Sequence, residues 1–137
     1  MNDKRRVLIV DDDKMHRAIY SSIANKMSFV VYEAPSPAEA YNALRTIDFD
    51  IVILDLMLGE DSGVSVLALM SSLPYRPRVL LVTGASDETI EETFAVGREL
   101  GLEMFGPVRK PVNVALIRTM LRSMEIGAPR PVSSAAG

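Results

Sequence analysis

The sequence predicts an α/β domain: a five-stranded parallel sheet in the order 2-1-3-4-5 with helices on both faces. Three observations carry this. Five short apolar runs punctuate the chain, Val7–Val10, Phe29–Tyr32, Ile51–Leu54, Val79–Val82 and Met104–Val108. They are mostly β-branched and continuous rather than alternating, as strands buried on both faces are. Between them apolar residues recur every four positions: Met15, Ile19, Ile23 and Met27, then Ala40 and Leu44, Ile90 and Phe94, and finally Leu116, Met120 and Met124. That is the spacing of one helical face. The order is βα throughout, five times over. Right-handed crossovers make such a sheet parallel, and 2-1-3-4-5 is the common arrangement of five βα units.

The punctuation supports each element in turn. After the first strand come Asp11, Asp12 and Asp13, and Asp13 stands where it can cap the first helix. Ser36-Pro37-Ala38-Glu39 has the form of a capping box, with Pro at the first helical position. Ser86 opens the fourth helix with Asp87 and Glu88 at the positive end of its dipole, and Gly101 closes it. Asn113 is positioned to cap the last helix. The methionines fall mostly at helical core spacing and read as core filler. Residues 1–126 thus form one domain, and 127–137, rich in Ala, Pro, Ser and Gly, read as a flexible C-terminal tail.

Composition narrows the function. The chain has 137 residues, 48% apolar and 24% charged, which suits one soluble domain able to bury a core without staples. It has no Cys, which removes thiolate metal sites, thiol catalysis and disulfides. The longest uncharged stretch, Ser62 to Tyr75, is too short to span a bilayer. The basic start is followed by only four apolar residues before the acids, so no signal peptide is read and a cytoplasmic location is expected. With 15 Lys+Arg against 18 Asp+Glu, no positive field draws the chain to nucleic acid.

In an open α/β sheet, ligands bind beyond the carboxyl ends of the strands, near the point where strand order reverses. Those ends carry Asp11-Asp12-Asp13, Asp55, Thr83-Gly84 and Lys110-Pro111. Singly, each has an ordinary reading as a helix cap, a loop acid, a β-branched strand end or a solvated lysine. Gathered at one edge, the carboxylates repel unless a proton or a cation neutralises them. Oxygen donors without Cys, and with His16 as the single His, select a hard divalent ion such as magnesium. His16 lies on the first helix beside these residues and is given no role.

Over roughly residues 5 to 124 the chain resembles the receiver domain of bacterial two-component response regulators. Asp11 and Asp12 match the family's acidic pair, and Asp55, within DIVILDLMLGEDSG, matches its phosphate-accepting aspartate. Thr83 and Lys110 match the remaining two positions. The resemblance implies a flavodoxin-like receiver fold and Mg2+ held by Asp12, Asp55 and the backbone carbonyl of Met57, with Asp11 acting through a water. It implies in-line transfer from a phosphohistidine of a histidine kinase or histidine phosphotransfer protein to Asp55, with Lys110 and Thr83 holding the phosphoryl oxygens. The implied protein is a phosphoprotein switch rather than an enzyme with a separate substrate. It signals by protein contact, a homodimer on phosphorylation among the outputs allowed, with neither nucleic acid nor membrane as partner.

The chain departs from the family pattern in four places. Gly59 replaces a usual Pro four residues after the phosphorylated aspartate, which predicts a more mobile loop. The interval from Thr83 to Lys110 is about one helical turn longer than in the family. Pro107 stands where a switching aromatic is common; Phe105, two residues earlier and expected on the same side of the strand, is the nearest replacement. Met57 and Ala85 occupy positions that guide water to the phosphoryl group, and neither can orient one. Two alternatives follow from these departures: a phosphorylation-independent adaptor or dimerisation module, and the N-terminal regulatory receiver of a cyclic-di-GMP phosphodiesterase, since GLEMFGPVRKPV is similar to receivers that precede EAL-type domains. A flavin-binding protein of the same fold is disfavoured because the turn after the first strand is acidic.

Overall fold

Three strands whose side chains are buried almost without interruption form the centre of the protein. The computed structural model describes residues 4–126 apart from residue 60. Its elements are β1 (Arg6–Val10), α1 (Lys14–Lys26), β2 (Val30–Ala34), α2 (Pro37–Thr46), β3 (Ile51–Leu54), β4 (Met57–Leu58), β5 (Asp61–Ser62), α3 (Val64–Ser71), β6 (Arg78–Thr83), α4 (Asp87–Glu99), β7 (Met104–Arg109) and α5 (Val114–Ile126). From Val7 onward β1 is buried, as are all of β3 and β6. Strands covered on both faces need helices on both faces. One layer is α2, α3 and α4, whose Leu44, Leu67 and Phe94 meet Leu8, Val52 and Leu81 of the sheet. The other is α1 and α5, whose Ile23, Ile117 and Leu121 meet Val7, Ile53 and Val82. Among the described residues no helix is long and apolar enough to cross a membrane.

The parallel sheet has five strands in the order β2-β1-β3-β6-β7; the numbers differ from the expected 2-1-3-4-5 because two strands outside this sheet, β4 and β5, intervene in the chain. Among the described residues there are two further strands that the sequence did not predict: β4 and β5 pair antiparallel as a separate two-stranded hairpin between β3 and α3. Gly59 turns this hairpin with φ of +65°, a left-handed backbone that glycine adopts freely and proline cannot. The segment expected as a loop therefore carries a defined turn. Strand β2 begins one residue later than expected and continues to Ala34, because Arg6 pairs with Val30 in the parallel register.

The caps follow the sequence closely. Asp13 accepts from the backbone N–H groups of Met15 and His16 at the start of α1. Ser36 accepts from the N–H of Glu39, while the Glu39 carboxylate accepts from the Ser36 hydroxyl, so the box closes through side chains. Asn113 Oδ1 accepts from the N–H of Leu116. Gly101, with φ of +82°, ends α4. Only the residues from Leu100 to Glu103 separate α4 from β7.

Two expectations about side chains are overturned. Met15, the first residue of the predicted apolar stripe, is 71% exposed, and Met57 is also exposed. Met15 lies in the first turn of α1, two residues past the cap; further along the stripe Ile23 is buried and Ile19 and Met27 are half-buried. Phe105 and Pro107 do not share a face. Leu80 pairs with Phe105 but Val82 with Val108, so β7 holds one residue more than β6 across this interval. The bulge, at Gly106 with φ of +100°, shifts the alternation. Phe105 packs toward α1 and α5, while Pro107 lines a groove beside Ile90 and Phe94 of α4. As expected, the Pro lies in an edge strand.

Candidate functional site

Strand register brings the polar residues together. Val10 lies opposite Ala34 in β2 and Leu54 in β3, so the residues that follow, Asp11 and Asp55, emerge side by side. The N–H of Asp55 donates to the Val10 carbonyl at 2.9 Å and that of Asp11 to the Ala34 carbonyl at 3.2 Å. On the other flank the Lys110 N–H donates to the Thr83 carbonyl at 3.1 Å, which ties the ends of β6 and β7.

Asp11 and Asp55 are 1% and 4% exposed. Between them sits the Lys110 ammonium, its Nζ 3.0 Å from Asp11 Oδ2 and 2.9 Å from Asp55 Oδ2. The other oxygens are held by backbone: Asp13 N–H donates to Asp11 Oδ1 at 2.9 Å and Met57 N–H to Asp55 Oδ1 at 3.1 Å. Asp12 is exposed, and oxygens of Asp11, Asp12 and Asp55 all lie within 4.8 Å of one another. Three hard oxygen donors this close, with a single ammonium to offset them, fit a divalent ion of the magnesium or calcium type.

The charges answer to burial. Burial raises the Asp11 carboxyl above its ordinary value, against the lowering pull of the Asp13 N–H and of Lys110. For Lys110, burial pulls down, yet hydrogen bonds and charge from Asp55 and Asp11 prevail and the ammonium is held more firmly than usual. Exposed Asp13 is lowered, chiefly by the N–H of His16 that it caps. The Tyr20 phenol is raised by burial, then by the charges of Asp11, Asp55 and Asp13, so it stays protonated beside the acids.

Of the residues expected in the site, Asp11, Asp12, Asp55 and Lys110 converge. Thr83 is buried at the adjoining strand end, where its hydroxyl accepts from the Ala85 N–H at 3.2 Å. Met57 reaches the site through its backbone, its side chain lying outside. His16, given no role, brings Nδ1 to 3.4 Å from Asp13 Oδ2 and 3.8 Å from Asp11 Oδ2. Sequence reasoning passed over Arg17, which contacts the Asp11 carbonyl. The signal available was its position one turn past the Asp13 cap.

A sequence model of the response regulator receiver domain matches residues 7–122. The chain belongs to this family. The receiver is 32% identical over 119 residues to the probable transcriptional regulatory protein SilR of Salmonella typhimurium, covering 85% of this chain and 51% of that protein. It thus spans about half the length of that curated relative. Its fold superposes on a CheY-like receiver domain protein from Methanospirillum hungatei JF-1 with a TM-score of 0.73 at 20% identity, covering 98% of this chain and 100% of the other. A response regulator from Burkholderia pseudomallei, solved with a phosphorylated aspartic acid, a calcium ion and citrate, matches at a TM-score of 0.69 and 24% identity over 90% of this chain and 74% of that one.

Proposed function

We propose that this receiver is a phosphorylation-dependent switch of a two-component system, accepting a phosphoryl group on Asp55 from a histidine kinase or histidine phosphotransfer protein in the cytoplasm. The observation that carries the reading is the Lys110 ammonium bridging two buried carboxylates, with Asp12 close by. Asp12, Asp55 and the Met57 carbonyl would hold Mg2+, with Asp11 acting through a water; the ion supplies positive charge that offsets the negative charge of the incoming phosphoryl group. Asp55 attacks phosphorus in line as the N–P bond to the donor imidazole breaks, and the electron pair leaves with the imidazole. Lys110 moves its hydrogen bond to a phosphoryl oxygen, and the Thr83 hydroxyl turns from the Ala85 N–H to another. No separate substrate is turned over.

The phosphorylated aspartic acid and calcium ion of the Burkholderia protein are in keeping with this chemistry. With Pro107 in the groove and Phe105 on the opposite face, the output does not run through a rotating aromatic on β7. The groove instead carries the Arg109–Asp87 ion pair, 2.6 Å, which joins the end of β7 to the start of α4. Asp87 stands four residues after Thr83, so movement of Thr83 toward a new charge reaches this pair directly.

Intact mass after incubation with acetyl phosphate tests the reading. The wild type gains one phosphoryl group only when magnesium is present, and Asp55→Asn gains none. No gain from acetyl phosphate or from a phosphorylated histidine kinase would favour the adaptor instead. A further expectation concerns lifetime: neither the Met57 nor the Ala85 side chain can orient an attacking water, so the phosphorylated wild type decays more slowly than Met57→Glu or Ala85→Asn, by about tenfold. Equal decay in a timed acyl-phosphate assay would remove that idea.

A further inference from the structure

Arg17 has no part in the chemistry above, yet its guanidinium reaches the backbone of the acidic loop. Nη1 donates to the Asp11 carbonyl at 2.8 Å and Nε to Glu33 Oε1 at 3.0 Å. The second Glu33 oxygen accepts from the Ser21 hydroxyl, one turn further along α1, at 2.8 Å. The Arg17 side chain is 14% exposed and its bond to the Asp11 carbonyl is partly buried, whereas Glu33 is exposed.

The carbonyl it holds belongs to the peptide joining Asp11 to Asp12. A peptide unit is planar. Fixing its oxygen therefore fixes the two torsions on either side, ψ of Asp11 and φ of Asp12, which decide where the Asp12 side chain leaves the chain. Asp11 has further restraints of its own, in its N–H to Ala34, its Oδ1 from Asp13 and its Oδ2 from Lys110. Asp12 is exposed, and among the described residues none donates a hydrogen bond to its carboxylate. Its aim rests on the peptide.

Glu33 contributes in two ways. It orients the planar fork, and it balances a positive charge that would otherwise compete with a cation for the same carboxylates. We propose that Arg17, oriented by Glu33, is a positioning residue that sets the Asp11–Asp12 peptide so that the Asp12 carboxylate stays beside Asp11 and Asp55. This rests on the reading of that cluster as a divalent-cation site.

The test is calorimetric titration of magnesium chloride into the wild type, Arg17→Ala, Arg17→Lys, Glu33→Ala and the Arg17→Ala/Glu33→Ala double variant. Melting temperatures and metal-free amide exchange at Asp13 are measured in parallel. Loss of an outer partner of a metal ligand costs about 10-fold to 100-fold in affinity, so Kd rises about tenfold in Arg17→Ala. Lys keeps the charge but not the fork, so Arg17→Lys recovers part of the loss. Glu33→Ala weakens binding too, and the double variant is no worse than Arg17→Ala, because Glu33 acts through Arg17. A fall in melting temperature with wild-type Kd, or losses that add in the double variant, overturns the proposal. If the wild type itself takes no magnesium, the reading of the site falls. The clamp is then judged on the metal-free readout: faster Asp13 amide exchange in Arg17→Ala supports it, and unchanged exchange overturns it.

Discussion

Lys110→Met unfolds more easily than the wild type at pH 7, by about 3 kcal/mol, and accepts phosphate at least about 100-fold more slowly. The stability loss is that of removing one partner from a buried ion cluster and leaving the others charged. Asp11 and Asp55 are both buried, and Lys110 Nζ lies within 3.0 Å of each. The rate loss is that of removing a donor aimed at oxygens on which charge gathers. The pH dependence separates this cause from a packing defect. Burial already raises the Asp11 carboxyl, and Lys110 is among the groups that hold it down. A carboxyl raised on folding gives stability that is complete below its unfolded value and is lost as pH rises through its folded value. Without Lys110 the Asp11 carboxyl rises further, so the variant regains stability as pH falls toward the ordinary carboxylate range. Thermal melts at successive pH values then show the gap to the wild type narrowing on the acid side. A constant or widening gap would mean that the missing ammonium is not what destabilises the protein.

Gly63→Ala is the second large effect, and it acts through backbone. An added Cβ at Gly63 would stand 2.6 Å from the Asp55 carbonyl oxygen and 3.1 Å from Leu56 Cα. Neither is the flexible end of a side chain, and the Gly63 N–H already holds the Leu56 carbonyl at 3.0 Å. The φ of −68° suits any residue, so the cost is one of space. Overpacking of this kind costs about 2 kcal/mol. Relief by moving the 55–56 backbone displaces Asp55, the proposed acceptor, so slower phosphorylation from acetyl phosphate accompanies the loss of stability. Gly84→Ala is the control: its Cβ would meet Lys110 Cβ at an ordinary 3.8 Å, and its denaturation midpoint stays near that of the wild type. Matching behaviour of the two variants would contradict this account.

Much of the site was legible because it sits where a parallel sheet must end. Asp11 and Asp55 follow runs of buried strand, Thr83 ends one, Lys110 follows the edge strand β7, and the order of the strands brings those ends to one edge. The caps at Asp13, Ser36, Ser86 and Asn113 were legible too, since each is a hydrogen bond to a backbone group two or three residues away. The hairpin of β4 and β5 was not, because strands of two residues carry no periodicity and Gly59 alone signals only a turn. The faces of Phe105 and Pro107 were misread for a related reason: alternation along a strand holds only while the ladder is regular, and the bulge opposite Leu80 and Val82 breaks it.

By itself, then, the sequence determined what depends on local order: the βα alternation, the helix caps and which strand ends carry carboxylates, threonine and lysine. Tertiary structure alone decided which of those groups meet. Lys110 meets Asp11 across 99 residues of chain and Asp55 across 55, and Arg17 meets Glu33 across 16. Contacts at such separations are set by strand register and helix packing, to which no local pattern of residues gives the distance.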